Sequence, residues 1–302
     1  MKSSSPVALI FLTLLAGLRF APQPAASRPK ILGVGSVLVT SSSIRGGEIG
    51  FYVQDLGFGG GSSVCAGASK FCLAVNNHQR IDLAVTRAAG TAGELSEVYF
   101  ATSDVQAMRQ YLLAHGIQTT EIASTPATEA FRFSDPDGHQ IGFIQYTHSA
   151  SFTHPANQVS SRLIHAGFIV RNRALTEHFY KDILGFRPYW HGGMKDDETA
   201  WVSLQVPDGT DWVELMVNVP ENADQRLRGI MNHIALGVTD IQAAREQLVR
   251  NGAHLTEEPK LGRDGKWQLN LYDPDQTRIE FMEFAPKEKP CCSEFTGSHP
   301  QP

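Results

Sequence analysis

Four ionisable residues in the second half of the chain interrupt runs that are otherwise apolar. His165 falls within Leu163 to Ile169, Glu214 within Trp212 to Val217, His233 at the head of Ile234 to Val238, and Glu280 between Ile279 and Phe281. Each run has the composition of a β-strand rather than a loop. A charged group buried in such a strand without a partner costs several kcal/mol, so each of the four needs one, and a single divalent cation would satisfy them all. Alternation along a strand puts Trp212 and Met216 on the face of Glu214, and Met282 on the face of Glu280, an odd setting for a solvated carboxylate. Taken singly, a strand histidine is more often hydrogen-bonded core and a strand glutamate an edge charge; the metal reading draws its weight from the four occurring together. Two imidazoles and two carboxylates make a nitrogen- and oxygen-rich donor set, suited to a five- or six-coordinate Zn, Ni, Co, Mn or Fe ion.

The elements that must position these residues come from an internal repeat. Ile31 to Val39 lies opposite Leu163 to Arg171 as a first apolar strand. Phe51 to Phe58 then matches Phe179 to Phe186 at five of eight positions, enough to set the two halves in register, and each segment ends a helix at a glycine, Gly57 or Gly185. Asp104 to Gly116 lies opposite Asp240 to Gly252, with aspartate as N-cap and glycine as terminator. Asp135-Pro136-Asp137 and Asp273-Pro274-Asp275 mark turns between the closing strands. Each half reads as strand, helix, three strands, then the same again. The expected fold class is therefore α+β, with two tandem modules over 31–146 and 162–285 and a polar linker over 147–161. In this alignment the first module has Gly33, Glu97 and Gly142 where the second has His165, His233 and Glu280, so only the second is expected to hold a metal.

Composition narrows the function classes. Hydrophobic residues make up 42% and charged residues 19% of 302, as in a globular protein. With 26 Lys plus Arg against 31 Asp plus Glu there is no basic field for a phosphate backbone, and nucleic acid is not an expected partner. Residues 1–27 read as a cleaved secretory signal: Lys2, an apolar run from Val7 to Leu18, then small residues Ala25, Ala26 and Ser27. The apolar run is too short to span a bilayer, so an exported protein, periplasmic or extracellular and free of the membrane after cleavage, is expected. In an oxidising compartment Cys65 and Cys72 either pair or remain two nearby thiols. Cys291 and Cys292 lie in a tail over 286–302 expected to be disordered, and as neighbours are not expected to bond to each other.

The repeat and the four residues together resemble the vicinal oxygen chelate superfamily, which includes glyoxalase I, extradiol dioxygenases, methylmalonyl-CoA epimerase and the fosfomycin and bleomycin resistance proteins. The likeness spans roughly 31–284 and is stronger in the second module, where Val213 to Asn218 and Asn232 to Val238 look most like glyoxalase I. The resemblance implies paired βαβββ units curled into incomplete barrels. It also implies one divalent metal held by the first, fourth, fifth and eighth strands of a module, here by His165, Glu214, His233 and Glu280. A small-molecule substrate and a monomer or homodimer are expected with it.

Three chemistries follow from the likeness. The first is a glyoxalase-like lyase or isomerase acting through an enediolate on a substrate with vicinal oxygens, with Glu280 or Glu214 as the base. A secreted protein meets little glutathione hemithioacetal, so the reaction type is expected to carry over while the substrate differs. Arg171, Arg173, Trp190, His191 and Trp201 are candidate pocket residues. The second is an Fe(II) extradiol-type ring-cleaving dioxygenase with His165, His233 and Glu280 as a 2-His-1-carboxylate site. Against it, Gly262 to Pro274 lacks the His and Tyr placement of that family, and Glu214 leaves less room for oxygen. The third is a non-catalytic binding protein of the bleomycin-resistance type, which has no need of the four-residue set.

Overall fold

The computed structural model describes residues 27–41, 47–60, 70–85, 94–147 and 153–302. The expected leader ends at residue 27 and falls almost wholly outside these residues, as does Cys65 and with it the Cys65–Cys72 question. Part of the expected linker, 148–152, lies outside them too.

Two curled eight-stranded mixed sheets carry the repeat. The first comprises β1 (Ile31–Ser41), β2 (Gly59–Gly60), β3 (Lys70–Asn76), β4 (Gln79–Val85), β5 (Glu94–Thr102), β6 (Ala123–Ser124), β7 (Thr128–Ser134) and β8 (Gln140–Tyr146). The second comprises β9 (Leu163–Ile169), β10 (Arg187–Gly192), β11 (Trp201–Gln205), β12 (Trp212–Met216), β13 (His233–Val238), β14 (Lys260–Leu261), β15 (Trp267–Tyr272) and β16 (Arg278–Glu283). Their spatial orders correspond, β2-β3-β4-β1-β5-β8-β7-β6 and β10-β11-β12-β9-β13-β16-β15-β14. The fourth, first, fifth and eighth strands of each module are thus neighbours, and those are the strands that carry the four candidate residues.

Capping residues set the helices as the repeat predicts. Asp104 opens α1 (Val105–Ala114) by accepting the Ala107 N–H, and Asp240 opens α4 (Ile241–Asn251) by accepting that of Ala243. Gly252 ends α4 at φ 94°, a conformation that costs a side-chain-bearing residue about 1 kcal/mol or more. Helical turns with the wider π spacing cover Gly50–Asp55 and, after α2 (Arg173–His178), Phe179–Ile183. A further helix, α3 (Gln225–Met231), begins at the cap Asp224 and feeds β13.

The two halves are stitched by polar contacts between elements remote in sequence. Tyr52 donates to Asp273 Oδ2 at 3.1 Å, and the repeat-related Tyr180 donates to Asp135 Oδ2 at 3.3 Å. Gln79 donates to the carbonyls of Val34 and Leu163, each at 2.8 Å, and accepts from the Leu163 N–H. Asp211 accepts from the Val34 N–H and, through its other oxygen, from Arg162.

Strand register corrects one equivalence. Val37 pairs with Ile81 and Val98 in the first sheet as Ala166 pairs with Val213 and Ile234 in the second. The residue preceding each strand centre then equates His165 with Ser36, not Gly33. Gly33 answers a different need: a Cβ there would come within 2.3 Å of Asp211 Oδ2, so glycine makes room for the carboxylate that joins the halves.

The tail over 286–302 is ordered, contrary to expectation. It runs along the edge strand β10, where the Thr296 N–H donates to the Tyr189 carbonyl at 3.0 Å and the His191 N–H donates to Ser293 Oγ at 2.9 Å. Cys291 and Cys292, expected not to bond to each other, form a disulfide. Phe295 packs with Tyr189 and Trp212 over Lys266, whose ammonium lies 4.6 Å from the Trp212 ring centre and 5.2 Å from that of Phe295. Burial pushes the Lys266 amine down to about 8. A Pro- and Ser-rich composition suggested disorder, but it also suits an extended strand-like cover whose order comes from the backbone groups of an open sheet edge.

Candidate metal centre

Strands β9, β12, β13 and β16 each have one face in the apolar core and one face lining the cup. Ala166, Phe168, Val213, Leu215, Ile234, Leu236, Ile279 and Phe281 belong to the core. The intervening positions, His165, Glu214, His233 and Glu280 among them, face the other way, as period-two alternation requires.

Register then brings the four together in two rows. In one row Gly167 lies opposite both Glu214 and His233; in the next, Ala235 lies opposite both His165 and Glu280. The central position of each row is nearly bare, so the flanking long side chains converge over it. A Cβ on Gly167 would lie 2.1 Å from His233 Cε1, so the imidazole occupies the space that a side chain there would fill.

The resulting cluster is tight. His165 Nε2 and His233 Nε2 stand 3.0 Å apart, Glu214 Oε2 is 3.4 Å from His233 Nε2, and Glu280 Oε2 is 3.6 and 3.5 Å from the two Nε2 atoms. The ligating atoms of His165, Glu214 and His233 all lie within 4.8 Å of one another. His233 Nδ1 is 3.0 Å from the Met231 carbonyl, which accepts its proton and leaves the Nε2 lone pair aimed into the cluster. His165 stacks against Trp212 with ring centres 4.6 Å apart.

Burial acts on all four in the direction that favours neutral forms. Desolvation pushes both imidazoles well below their usual range, helped at His165 by His233 and at both by Arg278. It raises Glu214 and takes Glu280 up to about 7, in each case against the pull of Arg278. Two unprotonated nitrogens facing each other at 3.0 Å repel unless a cation lies between them. That separation matches two nitrogens about 2.1 Å from one ion at near a right angle. The donor set therefore fits a divalent metal held by His165, His233, Glu214 and Glu280.

The first sheet has filled the same place. Its corresponding rows run Asp82, Leu38, Glu97 and Arg80, Ser36, Tyr99, Gly142, so Leu38 and Tyr99 occupy the positions that Gly167 and Ala235 leave open. Arg132 forms an ion pair with Glu97, Tyr99 donates to Glu97 at 2.8 Å, and Arg80 pairs with Asp82 at 2.9 Å. Guanidinium groups here neutralise the carboxylates that a metal would otherwise serve.

A cavity of about 390 Å³ opens over the second cluster. Glu214 and Glu280 form its polar floor with Asn270 and Arg278, and Trp190, Trp201, Met194, Met216, Met231 and Met282 supply apolar walls. Of the pocket residues expected from sequence, Trp190 and Trp201 line it. Arg171, Arg173 and His191 do not; all three are exposed, Arg173 being paired with Glu177. Asn270 and Arg278 were missed, although strand alternation about Glu280 puts Arg278 on its face.

The profile of the Glyoxalase/Bleomycin resistance protein/Dioxygenase superfamily matches residues 162–281. Over 107 residues, 35% of this chain and 79% of the relative, the sequence is 30% identical to a lactoylglutathione lyase of Haemophilus influenzae. In structure it is similar to an extradiol ring-cleaving dioxygenase from B. fuscum, with a TM-score of 0.66 and 19% identity over 92% of this chain and 77% of that one. A substrate complex of homoprotocatechuate 2,3-dioxygenase from Brevibacterium fuscum matches at a TM-score of 0.65 and 18% identity, over 90% of this chain and 88% of that one.

Proposed function

The chain belongs to the glyoxalase, bleomycin resistance protein and dioxygenase superfamily, the vicinal oxygen chelates, and from that premise we propose that it is a metal-dependent lyase or isomerase acting on a small substrate with adjacent oxygens. The observation that carries the reading is the fourth donor: Glu214 joins His165, His233 and Glu280 at 3.4 Å from His233 Nε2, where a 2-His-1-carboxylate iron site has no need of it. Similarity to a lactoylglutathione lyase over 107 residues supports it.

A divalent ion held there supplies Lewis acidity to two neighbouring substrate oxygens. The chain's own groups do the rest. Glu280 stands within ion-pair distance of both imidazoles and Arg278, whereas among the described residues Glu214 stands within it of His233 and is the more exposed of the two, so Glu214 is the carboxylate free to swing and take a proton from the carbon beside a carbonyl. Trp190, Trp201 and the methionine walls hold the substrate and exclude water from the deprotonated carbon.

Similarity to dioxygenases over both modules favours ring cleavage as the second reading. Elemental analysis of protein purified without chelator, with His233→Ala and Glu214→Ala beside it, separates the two. About one equivalent of metal, lost in His233→Ala and loosened in Glu214→Ala, is expected. Iron retained fully without Glu214 would favour the dioxygenase, and no uptake of Zn, Ni, Co, Mn or Fe(II) would leave a binding protein.

A further inference from the structure

The cavity lining carries one cation that the four-residue cluster engages only through Glu280, and one acceptor that the cluster does not use. Arg278 opens β16 two residues before Glu280 and so faces the cup beside it. Its Nη2 lies 3.7 Å from Glu280 Oε2, its side chain is 15% exposed, and its buried Nε has no hydrogen-bond partner among the described residues. The other cations at the cavity are already engaged. Lys260 is 3.0 Å from Glu257, and Arg263 pairs with Asp196 and donates to the Gly193 carbonyl. Lys266 lies beneath the aromatic rings of Tyr189, Trp212 and Phe295, away from the cavity.

Charge arithmetic shows what Arg278 is left to do. A divalent ion neutralised by Glu214 and Glu280 contributes nothing net, and Asp264 offsets Lys266. The guanidinium then stands as one uncompensated positive charge in a buried floor, where an anion gains far more than at a surface. Asn270 lies opposite Glu280 in register, gives its Nδ2 hydrogen to Glu257 at 3.0 Å, and keeps a buried Oδ1 that no donor among the described residues reaches. An unpartnered acceptor and a guanidinium whose Nε is unpartnered, lining the same cavity, call for a ligand that presents a hydroxyl near a negative charge.

We propose that this site takes 2-hydroxy carboxylates with an apolar or aromatic substituent, the carboxylate held by Arg278 and the hydroxyl donating to Asn270 Oδ1, with the substituent against Trp190, Trp201 and the methionine walls. The assignment rests on the metal-site reading above and deepens it, since a 2-hydroxy acid presents the adjacent oxygens that reading requires. The first module lacks the device, because Gln140 and Arg132 stand at the positions of Arg278 and Asn270.

Zinc-loaded protein, with metal counted by elemental analysis, would be titrated calorimetrically with mandelate and with its neutral amide, mandelamide, which share the hydroxyl and the ring. Mandelate is expected to bind at least tenfold more tightly than mandelamide. Arg278→Gln should remove that preference with zinc content unchanged, Arg278→Lys should keep part of it, and Asn270→Leu should weaken both probes alike. Equal binding of the two probes by wild type, no binding of either, or a preference that survives Arg278→Gln would overturn the assignment while leaving the metal site intact. Failure of the wild type to take up Zn, Ni, Co, Mn or Fe(II) would instead overturn the reading beneath it, and the assignment with it.

Discussion

Gly167 lies beside the His233 imidazole so closely that a methyl group on its Cα would come 2.1 Å from His233 Cε1. The absence of one side chain is what lets a fifth-strand histidine lean over the first strand toward His165. Gly167→Ala is accordingly expected to displace the His233 ring, lower metal affinity at least tenfold and destabilise the fold by about 1–3 kcal/mol. Equilibrium dialysis against zinc together with urea unfolding checks both effects, and wild-type affinity in the variant would contradict this geometry.

The ordered tail makes a stability prediction. Phe295 seals a cluster that includes Tyr189 and Trp212 and covers the Lys266 ammonium. Phe295→Ala should cost about 2–3 kcal/mol by loss of burial and by wetting the aromatic box. Thermal unfolding of full-length protein would show it as a lower Tm; an unchanged Tm would mean that the tail does not hold this position in solution.

In the first module, Glu97 depends on Arg132 and Tyr99 for compensation. Arg132→Met leaves a buried carboxylate with a single hydroxyl donor and should cost about 1–3 kcal/mol, less than a fully buried pair because the arginine is half exposed. Metal stoichiometry should not change. A second equivalent of zinc in this variant would show that the guanidinium had been the only barrier to a site in the first cup.

Glu48 is buried beside the turn between β15 and β16, where desolvation first and then Asp273 and Asp275 raise its carboxyl to about 8. The folded state thus binds this proton more tightly than the unfolded chain, whose glutamates titrate near 4.5. Its stabilising contribution is complete below about pH 4.5 and is lost as pH rises through about 8. Glu48→Gln should flatten that fall and raise stability near pH 8 by about 1–3 kcal/mol. Parallel denaturant titrations at pH 5 and pH 8 check the sign, and equal effects at the two values would exclude it.

Much of this architecture was legible in the chain. Repeated Phe-Tyr and Leu-Gly-Phe segments, aspartate caps and Asp-Pro-Asp turns are local signals, and local signals fix elements and their order. His165, Glu214, His233 and Glu280 were legible because ionisable residues in apolar strands are conspicuous one strand at a time. Register is not local: equating Gly33 with His165 failed because bulges in β1 shift its pairing, and only the ladders to β4 and β5 identify Ser36.

What the sequence determined alone was therefore the two-module plan and the presence of four ionisable residues in apolar strands, since both follow from periodicity and residue type. Tertiary structure decided which strands became neighbours, and with that the convergence over Gly167 and Ala235. It also decided that Arg278 and Asn270 share the cavity floor and that the tail covers β10. These depend on contacts between segments far apart in the chain, whose energy comes from buried surface and paired polar groups that no local pattern records.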